Sequence, residues 1–161
     1  MIRAALQAVV VWWGRRPAWL RWLGVGAALA VIWWSSSTSP TARAPSTWQA
    51  LLHNAAHVVA FFGIAALAEL AIAGACLPER RAARLAVLLA ATYGAIDELH
   101  QSFVPGRVSS VGDWLTDVCG ACLAVAVVSF VHEPTVVHRR AVAGWLCAAL
   151  AMACAATWLP I

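Results

Sequence analysis

Apolar residues run through this chain in five long blocks separated by short polar breaks. The blocks cover about 18–34, 55–76, 83–102, 113–131 and 141–159. Each is close to the roughly 20 residues that a helix needs to cross a bilayer. A shorter stretch at 2–13 ends in Trp12 and Trp13 and is too short to cross, so it is expected to lie along the membrane surface. The pattern predicts an all-α polytopic membrane bundle of about five transmembrane helices. Along the chain it reads as an N-terminal interfacial or cytoplasmic segment (1–17), a membrane domain (18–131), and a cytoplasmic loop with an additional C-terminal span (132–161).

Composition strengthens the membrane reading. Hydrophobic residues make up 63% of the 161 and charged residues 11%, with a mean hydropathy of +0.78. A soluble domain of this size has too little interior to hide that much apolar surface, so the excess faces lipid. Disorder is excluded because disordered chains are polar and charged. The net charge of +4 comes from arginine without lysine, in clusters between apolar runs. That placement suits membrane topology and gives no basic face for a nucleic acid. Cys76, Cys119, Cys122, Cys147 and Cys154 are odd in number and sit in apolar runs, so they read as small buried thiols, including the C-x-x-C pair Cys119 and Cys122.

The arginines predict an orientation. Arg3, Arg15, Arg16, Arg80, Arg81, Arg84, Arg139 and Arg140 fall on one side of a five-span chain, and Arg43 and Arg107 on the other. The positive-inside rule then puts the N-terminus in the cytoplasm and the C-terminus outside. Ala42-Arg43-Ala44 resembles a signal cleavage site, and cleavage there would leave four spans with the orientation unchanged; the polar leader ahead of the first block is unusually long for a signal, which favours reading that block as a span.

Polar residues then change the picture from topology to chemistry. Ser46-Thr-Trp-Gln49 fits a capping box and predicts a helix from about residue 47, with His53 and His57 one turn apart on one face. The third block ends in Asp97-Glu98-Leu-His100-Gln101, where Asp97 and Gln101 share a face and Glu98 is rotated away. Val104-Pro-Gly-Arg107 predicts a type II turn, and Ser110-Val-Gly-Asp113 a second cap, with Asp117 on the same face as Asp113. Positive-inside counting places all of these on the outer side, in three spans and one loop. Ionisable groups inside a membrane are costly and tend to be functional, though interhelical hydrogen bonding alone would also suit them. The candidates are His57, Asp97 and Glu98 for catalysis, and His57, Asp97, Glu98, Gln101, Arg107, Ser110 and Asp113 for ligand binding. Arg107 is expected to pair with Asp97, Glu98 or Asp113. Glu69, toward the inner half, is expected to be buried against another span without a role.

The string from Asp97-Glu-Leu-His-Gln through Val-Pro-Gly-Arg107 to Ser110-Val-Gly-Asp-Trp-Leu-Thr-Asp117-Val-Cys-Gly120 resembles the VanZ-like family of bacterial membrane proteins. His57-Val-Val-Ala-Phe-Phe-Gly63 is similar to that family's histidine–aromatic stretch, and the likeness covers about residues 30–131. Family members often carry Asp-Lys where this chain has His53-Asn54, and Asn where it has Asp117, which turns the expectation away from His53 and Asp117. The resemblance implies a multi-pass protein of the bacterial cytoplasmic membrane, in a family named for a link to resistance to the glycopeptide teicoplanin.

Three functions follow as expectations. The first is an envelope protein whose outer pocket engages a cell-wall precursor, a lipid head group or a glycopeptide. The second is a membrane-embedded hydrolase or transferase. No cofactor is predicted, although the histidines and carboxylates could hold a divalent metal. A proton-coupled transporter fits least, because the polar residues crowd one end and form no path across.

Overall fold

The computed structural model describes residues 1–39, 46–74 and 77–158. The Ala42–Ala44 triplet with Arg43, and Cys76, lie outside the described residues. Six helices form the described chain: α1 (Ile2–Gly14), α2 (Ala18–Ser36), α3 (Thr47–Ala73), α4 (Glu79–Gln101), α5 (Val111–His132) and α6 (Val136–Trp158). The expected all-α bundle is present. The capping box is also present, with Ser46 Oγ accepting from the Gln49 amide and Gln49 reaching back to the Ser46 N–H.

Four helices, α2, α3, α5 and α6, are long and apolar enough to cross a membrane. The expected third span, α4, has 23 residues and therefore the length, roughly 35 Å at 1.5 Å per residue. Its composition is different. Glu79, Arg80, Arg81 and Arg84 occupy its start and Asp97 and Glu98 its end, so only residues 85–96 are free of charge. Leu85, Leu88, Ile96 and Leu99 nonetheless form an outward apolar stripe on it.

Helices in lipid gain little from excluding water, so they associate by close packing of small side chains. The buried face of α4 reads Ala82, Ala86, Ala90 and Gly94, one small residue per turn. Facing it are Phe61, Ile64, Ala65 and Ala68 of α3 and Ala121 and Ala124 of α5. Large apolar residues such as Leu23, Val31, Val59, Leu88 and Leu150 point outward, as lipid contact requires. The same inversion corrects the cysteines. Cys119 is buried, but Cys147 and Cys154 lie exposed on the outer side of α6, seven residues and two turns apart. Trp114 tucks between α5 and α4, its indole N–H donating to the Ala91 carbonyl at 2.9 Å.

Polar contacts fix how the helices run. Arg21, near the start of α2, donates to the Leu70 carbonyl near the end of α3 at 3.0 Å. Arg3 of α1 reaches the Val131 carbonyl at the end of α5. Asn54, near the start of α3, lies against Ala153 and Thr157 at the end of α6. One end of the bundle therefore gathers Arg3, Arg21, Arg80, Arg81 and Arg84, together with the α5–α6 connection. The other end gathers His53, His57 and His100 and most of the acids.

Candidate functional site

The inward stripes of three helices become polar as they reach that second end. On α4 the four-residue step Ala86, Ala90, Gly94 continues to Glu98. On α3 the stripe runs back from Ile64 through Phe61 to His57, and on α5 from Ala124 and Gly120 to Asp117 and Asp113. Helical periodicity thus delivers an imidazole and three carboxylates to one place among α3, α4 and α5.

His57 stands at its centre. Its Nδ1 pairs with Asp117 Oδ1 at 2.8 Å, and its Nε2 faces His53 Nε2 at 3.2 Å. Asp117 is 1% exposed, and its other oxygen, Oδ2, has no hydrogen-bond partner among the described residues and lies over Gly94. Glu98 accepts from the Ser110 N–H at 2.7 Å, while its Oε1 is buried with no hydrogen-bond partner among the described residues. Ser110 also caps α5 by accepting from the Asp113 N–H. Two sets, His53–His57–Asp113 and His57–Glu98–Asp117, each bring three possible metal-ligand atoms within 4.8 Å of one another.

A second polar group joins α2 to α4. Asp97 is 1% exposed and accepts from Ser36 Oγ on one oxygen and from Gln101 Nε2, at 2.8 Å, on the other. Beside it His100 stacks on Trp33, with centroids 3.9 Å apart, and its Nε2 meets Ser37 Oγ at 3.0 Å. The turn before α5 is of the expected kind: Gly106 has a φ of 83° and the Arg107 N–H closes on the Val104 carbonyl. Arg107 does not do what the sequence suggests. It makes no ion pair among the described residues. Its Nε donates to the Thr38 carbonyl at 3.2 Å and its Nη2 to the Ser35 carbonyl at 2.7 Å. The last carbonyls of a helix have no partner in the helix and carry its negative dipole end, so they compete well for a guanidinium.

The two groups meet at one cleft of about 110 Å³. Arg107, His53, His57, Asp97, Gln101, Ser35 and Ser36 supply polar walls, and Ile32, Ala56, Ala60 and Phe61 the apolar ones. Of the sequence candidates, Asp97, Gln101, Arg107 and His57 border it. Glu98, Ser110 and Asp113 lie behind His57 toward α5, outside its lining.

A protein-family model, VanZ/LLP1, matches residues 19–132. The chain belongs to the VanZ/LLP1 family. No curated protein and no solved structure matches it. The VanZ/LLP1 match takes in α2 to α5 and every residue of the cleft, whereas α6 lies beyond it and still packs on α3 and α5.

Sequence reasoning left several neighbours out of the candidate site. Asp117 is the direct partner of His57, and His53 faces that histidine's other nitrogen. Ser36 holds Asp97, although the first block was read as ending at residue 34. Asn54, 4% exposed, preceded the expected start of the second block. In the amide orientation that satisfies both its ends, Asn54 Nδ2 donates to Asp113 Oδ1 at 3.1 Å and its oxygen accepts from the Thr157 N–H and hydroxyl. The available signal was the presence of polar residues inside or at the rim of apolar runs, but their partners come from other helices. Glu69 is buried as expected.

Proposed function

We propose that this VanZ/LLP1 protein lies in the bacterial cytoplasmic membrane with its arginine end inside, and that its cleft binds a small anionic head group of an envelope lipid or lipid-linked cell-wall precursor. The composition of the cleft carries this reading. A guanidinium and imidazoles stand beside Ile32, Ala56, Ala60 and Phe61, so one wall suits a charged group and the other the start of a hydrocarbon chain. Arg107 has two donors on protein carbonyls and keeps Nη1 for a phosphate or carboxylate, groups that a guanidinium binds well. About 110 Å³ is well below the roughly 300–1,000 Å³ of sites that enclose drug-sized molecules. A whole glycopeptide does not fit, so a link to glycopeptide resistance would run through the lipid-linked precursor.

The test is complementation of a strain lacking the native gene, scored by sensitivity to a glycopeptide or another wall-active agent. Arg107→Ala is expected to lose protection at normal membrane levels, and Arg107→Lys to keep part of it, since charge survives without the fork. Full protection by Arg107→Ala and His57→Ala alike would mean that the cleft is structural. Orientation has its own check in a background without native cysteines. A cysteine replacing exposed Ser109 should react with an impermeant thiol reagent from outside, and one replacing exposed Glu79 should not. The opposite labelling would place the cleft in the cytoplasm.

A second reading is a membrane-embedded hydrolase or transferase. It is favoured by the His57–Asp117 pair, whose 2.8 Å contact beside the cleft has the form of an acid–base couple. Release of a labelled head group from a lipid-linked substrate by the purified protein would decide for it.

A further inference from the structure

We propose that His53, His57 and Asp113 form a binding site for a first-row divalent cation, zinc in the first place, with Asp117 and Asn54 as positioning residues behind the ligands. This goes beyond the head-group reading and does not depend on it.

The nitrogen geometry is the starting point. His53 and His57 sit one turn apart on α3, and their Nε2 atoms face each other at 3.2 Å. Two neutral imidazoles cannot both point lone pairs at each other; a proton or a cation has to lie between them. Two nitrogens bound at about 2.0–2.1 Å to a tetrahedral zinc stand roughly 3.3 Å apart. The observed separation matches two ligands on one ion, as it also matches a single N–H···N hydrogen bond, and the other groups around the pair favour the ion.

The tautomer agrees. His57 Nδ1 is engaged by Asp117 Oδ1 at 2.8 Å. A proton held there leaves Nε2 as the free lone pair, and a carboxylate behind a histidine is the usual support for a metal-bound imidazole. Asp117 is 1% exposed, so this orientation is fixed from within the bundle. The third ligand comes from α5: Asp113 places a carboxylate oxygen within 4.8 Å of a ring nitrogen of each histidine. Asp113 Oδ1 is itself steadied by Asn54 Nδ2 at 3.1 Å, and Asn54 by Thr157 of α6.

The alternative set, His57–Glu98–Asp117, draws on the same histidine. It would have to use Nδ1, which the Asp117 hydrogen bond already occupies, or turn the ring away from His53. Two imidazoles and one carboxylate suit zinc and related first-row ions better than calcium or magnesium, which favour all-oxygen sites. Three protein ligands leave a position open, and His53 and His57 both line the cleft, so that position belongs to its side.

The experiment uses the full chain purified in detergent, stripped with a chelator and dialysed against Zn²⁺ or Mn²⁺, with bound metal counted by elemental mass spectrometry. Cys147 and Cys154 are exposed thiols, so both are replaced by alanine throughout. One zinc per chain is expected. His53→Ala should abolish stoichiometric binding, and since His53 is exposed its loss leaves the fold intact, as the elution profile and melting curve would verify. Asp117→Asn should weaken binding by about 10–100-fold while all three ligands remain. Glu98→Gln should bind as the parent does. Cobalt in place of zinc should give visible d–d bands without thiolate charge-transfer bands. A parent protein without stoichiometric metal would overturn the site. So would undiminished binding by His53→Ala, loss in Glu98→Gln with retention in His53→Ala, or thiolate bands. A metal-free protein that still needs Arg107 in the envelope assay would sink this inference alone and leave the head-group reading standing.

Discussion

Gly120→Ala is expected to open the α3–α5 interface and to lower the melting temperature more than any other single methyl addition to these helices. A Cβ at residue 120 would fall 2.5 Å from the Val58 carbonyl oxygen and 3.1 Å from that residue's carbonyl carbon and Cα. These are backbone atoms in mid-helix and cannot rotate aside, so the helices must part. The added methyl costs about 1–3 kcal/mol by overpacking. Val58 follows His57, and Gly120 lies one turn beyond Asp117, so the 2.8 Å contact between those side chains stretches with the interface. Gly63→Ala provides the comparison. A Cβ there meets nothing within 4 Å among the described residues, and alanine gains about 0.5–1 kcal/mol over glycine within a helix. Thermal unfolding in detergent would read both. Equal melting temperatures for the two variants would mean that α3 and α5 do not approach as closely as described.

Asp97 is expected to separate sharply between its two simplest replacements. Its oxygens accept from Ser36 and Gln101, and only 1% of it is exposed. In Asp97→Asn the Gln101 amide can turn to offer its oxygen to the new NH₂, and the Ser36 hydroxyl still finds an acceptor. Both bonds survive without the charge, so membrane levels and envelope protection should stay close to the parent. In Asp97→Ala the Gln101 amide loses its acceptor inside the bundle. Leaving a buried donor unmade costs about 1–3 kcal/mol, although Ser36 retains the Ile32 carbonyl at 2.7 Å. The α2–α4 wall of the cleft loosens, and protection should be lost along with stability. If Asp97→Asn instead abolished protection at full membrane levels and an unchanged melting temperature, Asp97 would act through its charge, as a base or a ligand partner. Glu69→Gln, buried at the other end, should leave protection unchanged in the same assay.

The sequence by itself determined a good deal. The apolar blocks specify an all-α membrane bundle because continuous runs of about 20 apolar residues suit helices that satisfy their own backbone hydrogen bonds, whereas a closed barrel needs shorter strands of alternating polarity. Ser46, Ser110 and Pro105-Gly106 mark helix starts and a turn through contacts three residues apart, and such local geometry is fully written in the order of residues. The sharing of a face by Asp97 and Gln101, and by His53 and His57, follows from helical period alone.

Tertiary structure decided what each polar group meets. Arg107 was expected on a carboxylate and sits on the Ser35 and Thr38 carbonyls, because which helix end lies beside a turn depends on how whole helices pack. Asp117 takes His57 across 60 positions of sequence, and Asn54 takes the end of α6 across about 100. Small residues at Gly94 and Gly120 let those helices come close enough for the contacts to form. A sequence shows that a residue is polar and buried, which requires a partner. It does not show which partner, since in lipid that choice falls to shape and packing between helices that are distant along the chain.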